Sequence, residues 1–149
     1  MDQKLQYAEK DLKLFRIWLK ATKTLYDNVT KDITSHGLTI ENFMTLELLY
    51  NKGPQYIQVI SEKLMIPSGS ITYVVNKLEK KELAMREINN ENKRYCKVVL
   101  TEKGEALFNE IFPKHVGMIV KNLEVLDNEQ KEQLTTLLKT VGLAAKELS

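Results

Sequence analysis

Apolar residues return every seven positions at the start of the chain. Leu5, Leu12, Leu19, Tyr26 and Ile33 form one row, and Ala8, Phe15, Thr22 and Val29 fill the offset positions. This spacing predicts one long helix over residues 3–33. Leu14, Ile17, Trp18, Ala21 and Leu25 widen its apolar surface beyond a single seam. Such a helix packs on more than one neighbour, in its own chain or in another. Ser35-His36-Gly37 breaks the pattern, and Leu38-Thr39 opens a second helix over about 41–51. That helix carries Phe43, Leu46, Leu49 and Tyr50 and stops at Gly53-Pro54.

The middle of the chain is the most informative. Ile57, Ile60 and Leu64 mark a short amphipathic helix that ends near Met65-Ile66-Pro67. In the next stretch, 68–81, Ile71, Val74, Val75 and Leu78 recur at three- and four-residue steps and share a face. Ser70, Thr72, Tyr73, Asn76 and Lys77 are left on the other side, with Ser68 at the start. These are small donors and acceptors of the size that reaches phosphates and base edges. Two short helices joined by a tight turn, the second with a polar outer face, predict a helix-turn-helix.

After Leu83 the period changes. Residues 84–88 and 95–100 read as two strands, the second β-branched and near-alternating. Between them lies the polar, turn-rich Asn89-Asn90-Glu91-Asn92-Lys93-Arg94. The prediction is a two-stranded hairpin leaning on the adjacent helices. Thr101 caps the next helix, which carries Leu107, Ile111, Phe112 and Ile119 and should bend near Pro113. Asp127-Asn128-Glu129-Gln130 is a capping box for a last helix bearing Leu134, Leu137, Leu138, Val141 and Leu143. The two ends of the chain hold more apolar surface than one small domain readily buries, which predicts a dimer.

Composition narrows the function. With 149 residues, 43% of them hydrophobic and 28% charged, the chain has the make-up of a single globular domain rich in helix. It has no apolar run of the roughly 20 residues a membrane helix needs, and Met1-Asp2-Gln3-Lys4 does not open a secretory signal. With its single cysteine, Cys96, these features predict a cytoplasmic protein. The net charge is only +2, but residues 50–100 hold nine Lys or Arg against five Glu. The basic surplus therefore sits where the suspected recognition helix lies. No Gly-rich phosphate loop, nucleophile motif or metal-ligand spacing is present, so neither an enzyme, a metal site nor a cofactor is expected.

With its hairpin, the central segment resembles the winged helix-turn-helix of the multiple antibiotic resistance regulator (MarR) family. The matching stretches are Leu38-Thr39 with Phe43 and Leu46, then Ile60-Ser61-Glu62-Lys63-Leu64, then Ser68-Gly69-Ser70-Ile71-Thr72 and Asn76-Lys77-Leu78-Glu79-Lys80-Lys81. Arg86, Asn92-Lys93-Arg94 and Val98-Val99-Leu100-Thr101-Glu102-Lys103-Gly104 complete the match. The resemblance implies a mainly α fold with a small β-wing: a winged region at 38–100, flanked by dimerisation helices at 1–34 and 101–149. It departs from the family at Glu82, where Gly is usual. A left-handed backbone there costs a non-Gly residue on the order of 1–2 kcal/mol. The wing tip has Asn92 where the family usually has Asp.

As the resemblance implies, the chain is a ligand-responsive repressor that binds a pseudo-palindromic double-stranded DNA operator as a homodimer. Ser68, Ser70, Thr72, Tyr73, Asn76 and Lys77 would meet the major groove and its phosphates. Arg94, beside Asn92 at the wing tip, would enter the minor groove, and Lys93 and Arg86 would hold phosphates. A small aromatic or phenolic effector would lie among Phe15, Arg16, Trp18, Leu19, His36, Phe43 and Met44. Two alternatives remain open: a dimeric helical scaffold that binds protein partners, and a thiol-based redox sensor acting through Cys96.

Overall fold

A computed structural model describes residues 3–87 and 96–149. Its elements are α1 (Gln3–Tyr7), α2 (Glu9–Ser35), α3 (Ile40–Lys52), β1 (Gln55–Tyr56), α4 (Ile57–Leu64), α5 (Ser68–Lys80), β2 (Ala84–Glu87), β3 (Lys97–Leu100), α6 (Glu102–Leu123) and α7 (Asn128–Leu148). Two units are distinguished, residues 1–116 and residues 117–149.

The first unit has one core. Phe43, Leu46 and Leu49 of α3 meet Ile60 of α4, Ile71, Val75 and Leu78 of α5, Val98 of β3 and Phe108 of α6, with Ile33 closing the end of α2. The three- and four-residue spacing seen in the sequence is the reason each helix turns one face inward. Aromatic rings fill the space between α3 and α6. The centroids of Phe43 and Phe108 are 5.1 Å apart, as are those of Tyr50 and Phe108. Tyr50 Oη donates to Asn109 Oδ1 at 2.6 Å, which satisfies the one polar atom on that ring.

The hairpin of the sequence reading is part of a three-stranded antiparallel sheet in the order β1-β3-β2. Arg86 opposes Val98 across β2 and β3, and Gln55 opposes Val98 on the other side. β1 escapes sequence reading because two residues carry no alternation to detect. It makes Val98 a central-strand residue, and that residue is fully buried.

The long first helix is interrupted once. Ala8 has ψ near 0°, away from the helical value of about −42°, and separates α1 from α2. α6 is one helix from Glu102 to Leu123 and carries Pro113 at an exposed position within it. In the second unit α7 starts with the expected capping box: Asp127 Oδ1 accepts from the Gln130 amide and Gln130 Oε1 from the Asp127 amide. None of α7's residues is buried. No helix among the described residues is long and apolar enough to cross a membrane.

Candidate nucleic-acid interface

α5 owes its position to the buried face and to two unusual turns. Before it, Met65 takes the left-handed conformation with φ 53°. The Ile66 amide donates back to the Ser61 carbonyl at 3.0 Å, and the Ser61 hydroxyl donates to the Ile66 carbonyl. After it, the Leu83 amide reaches the Leu78 carbonyl and the Glu82 amide reaches the Glu79 carbonyl, each at 2.9 Å. This pair of bonds is a Schellman closure, and it requires a left-handed residue at position 82. Glu82 occupies it with φ 63°. The turn keeps the geometry glycine favours although glycine is absent.

The stretch from Leu100 to Gly104 has a mechanical explanation in this turn. Thr101 Oγ1 donates to the Glu82 carbonyl at 2.6 Å and accepts from the Gly104 amide at 3.0 Å. The Thr101 amide donates to the Leu83 carbonyl at 3.1 Å. One threonine thus caps α6 and ties its start to the exit of α5. Gly104 is buried, and a Cβ there would run into the Leu83 carbonyl oxygen.

Fixed in this way, α5 presents Ser68, Ser70, Thr72, Tyr73 and Asn76 as exposed residues, with Lys77 half-exposed. On a 100° helical wheel Asn76 lies near the middle of the outer face, with Thr72 on one side and Tyr73 and Lys77 on the other. The Lys77 ammonium sits 5.3 Å from the centre of the Tyr73 ring. A groove of about 420 Å³ runs between the start of α3 and α5, bordered by Thr39, Asn42, Ser70, Tyr73 and Lys77. Lys81 is engaged elsewhere: its Nζ donates to the Gly37 carbonyl at 3.2 Å, joining the end of α5 to the turn after α2.

Arg86, read from the sequence as a phosphate ligand, has partners within the protein. It stands on β2, half-buried, and turns back onto α5. Nη1 forms an ion pair with Glu79 Oε1, and Nη2 donates to Asn76 Oδ1 at 2.8 Å. Nothing in the sequence pattern announced this fork, because its partners lie seven and ten residues away on a different element. The wing-tip candidates Asn92, Lys93 and Arg94 lie outside the described residues.

The effector candidates fall into two groups. Phe15, Arg16 and Leu19 are exposed on α2, and Trp18 is half-buried there. Phe43 is in the core, with His36 and Met44 half-buried near the end of α2 and the start of α3. Leu19 and His36 are separated by about 25 Å of helix at 1.5 Å per residue. One protomer therefore does not bring the two groups into one cleft. The second group has partners the sequence reading missed. Asp32 meets His115 Nδ1 through Oδ2 at 3.1 Å and His36 Nε2 through Oδ1 at 3.7 Å, and the His115 ring lies 4.5 Å from that of Phe43. Cys96 is buried, its Sγ 3.5 Å from the Glu87 carbonyl oxygen.

A helix-turn-helix followed by a sheeted hairpin and framed by long helices defines the class: a winged helix-turn-helix DNA-binding regulator. Comparison with known proteins gives the family. The model of the MarR family matches residues 38–95. The HTH-type transcriptional regulator MhqR of Bacillus subtilis is 46% identical over 140 residues, covering 94% of this chain and 97% of the relative. The chain belongs to the MarR family, a family of transcriptional regulators. Two solved structures share the fold. Sco3205, a MarR family transcriptional regulator from Streptomyces coelicolor in complex with DNA, matches with a TM-score of 0.82 at 20% identity, over 89% of this chain and 86% of that one. NadR in complex with 4-hydroxyphenylacetate matches with a TM-score of 0.69 at 24% identity, over 83% and 88%.

Proposed function

We propose that this regulator represses transcription from the cytoplasm by binding a pseudo-palindromic operator as a homodimer, with α5 of each protomer in a major groove. The observation that carries this reading is the division of α5. Ile71, Val75 and Leu78 are fully buried, while every candidate base-reading residue from Ser68 to Asn76 is open to solvent. A helix locked on one side and polar on the other suits a groove reader. A protein-docking face would instead carry aromatics and aliphatics, and Tyr73 is the one large apolar group exposed on α5.

Ser68 and Ser70 meet phosphates near the start of α5, where helix amides face outward. Thr72, Tyr73, Asn76 and Lys77 face base edges, Arg94 beside Asn92 enters the minor groove, and Lys93 meets a phosphate. The exposed apolar rows of α2 and α7 supply the dimer contacts. NadR's ligand supports an aromatic, phenolic effector for this chain too. With Phe15, Arg16, Trp18 and Leu19 remote from His36, Phe43 and Met44 in one protomer, a site using both groups draws one of them from the partner. The burial of Cys96 favours a packing role over thiol sensing.

The test is a gel-shift series at several salt concentrations. Affinity should fall steeply with salt, with a logarithmic slope of about −0.9 per phosphate contact. Arg94→Ala should weaken operator binding at least about tenfold with the dimer intact, in line with a minor-groove contact. No binding to any duplex at low salt would favour the scaffold reading.

A further inference from the structure

We propose that Arg86 is a positioning residue for sequence specificity: it fixes which end of the Asn76 amide faces the DNA, so that Asn76 reads base edges as a hydrogen-bond donor. This deepens the operator-binding reading of α5 and rests on it.

The guanidinium has five N–H donors and no acceptor. The Asn76 atom it meets at 2.8 Å is therefore the carbonyl oxygen. Turning the amide over would set an NH₂ group against a cation, so the flip is blocked while Arg86 is in place. Arg86 is itself held. Its other terminal nitrogen pairs with Glu79, one helical step along α5, and its backbone is fixed in β2 opposite the buried Val98. The Arg86 and Glu79 side chains are only 23% and 34% exposed, so the fork is partly shielded from water. An arginine that spends both ends of its fork within the protein is poorly placed to neutralise a phosphate. Lysine has a single amine and cannot reproduce this two-ended grip.

The consequence concerns base choice. Asn76 lies mid-face on α5 with its oxygen already bonded and its two Nδ2 hydrogens free. In the major groove guanine offers N7 and O6 and thymine offers O4, all acceptors. Cytosine offers only its amino donor. Adenine offers its N7 as an acceptor, and the Asn76 oxygen keeps a second lone pair beside its charge-assisted bond from Arg86, so adenine is also open to this amide. Asn76 should therefore accept guanine, thymine or adenine at its position and reject cytosine.

The test is selection of bound sites from a random duplex pool, using the full chain as wild type, Asn76→Ala, Arg86→Lys and Glu79→Gln. The position whose preference vanishes in Asn76→Ala is the one Asn76 reads. Wild type should favour guanine, thymine or adenine over cytosine there by about tenfold, the size of one good base contact. Arg86→Lys should flatten that position alone and leave the others unchanged. Glu79→Gln, which loosens Arg86 without touching Asn76, should soften the same position and serves if Arg86→Lys does not fold. Cytosine preferred at that position would overturn the proposal, as would an unchanged preference in both variants. So would a uniform loss of affinity in Arg86→Lys with the salt slope reduced by about one, the signature of a phosphate contact. Failure of the wild type to enrich any sequence would overturn the operator-binding reading itself, and the proposal with it.

Discussion

The recognition helix and the terminal helices make opposite use of the same amphipathic pattern. α5 finds partners for its apolar side within its own chain: Ile71, Val75 and Leu78 are all fully buried. Most of α2 and all of α7 leave theirs uncovered. Phe15 is 59% exposed and Leu137 is 62% exposed. A pattern of apolar residues says that a face will be buried, but not by which molecule. In α5 that burial sets the angle of a reading surface. In α2 and α7 the apolar rows are the surface proposed above for a second copy, which would give the two reading surfaces their spacing.

Substitution should separate the two regions. Phe108→Ala empties the place where three aromatic rings meet and should cost about 3–5 kcal/mol. The loss, read by chemical denaturation, should not depend on protein concentration. Leu137→Glu should do the reverse. It should leave helix content and core packing intact, convert dimer to monomer in sedimentation, and lower operator affinity by about a hundredfold through lost bivalency. A monomeric wild type would break the comparison. Next in size is Gly104→Ala, which presses a methyl group on the Leu83 backbone. Overpacking of this kind costs about 1–3 kcal/mol, and the melting temperature should fall accordingly. Glu82→Gly is smallest and opposite in sign. It relieves a left-handed non-glycine residue while adding freedom to the unfolded chain, so a gain of up to about 1 kcal/mol is expected in the same denaturation assay.

Much of this architecture is legible in the sequence because it is local. Heptad spacing located α2, the three- and four-residue steps located the faces of α3 to α5, and Asp127 to Gln130 announced the start of α7. What stays hidden is either very short or long-range. β1 has two residues and no pattern. The turns at Met65 and Glu82 fall where the sequence places them, but neither has the glycine that would announce its left-handed backbone, which the hydrogen bonds from Ile66 and Leu83 hold in place. Asp32 and His115 are 83 positions apart, so their pairing has no sequence signature. Arg86 is the instructive case among the site residues. Charge and place in the wing suggest a phosphate ligand, and they give no sign of the contacts to Asn76 and Glu79 that the fold provides.

Site selection from a random duplex pool, read for half-site arrangement, tests the paired-helix account most directly. The account predicts an inverted repeat whose half-sites lie about one helical turn, 10–10.5 base pairs, apart. Enrichment of a single half-site, or of direct repeats, would contradict it.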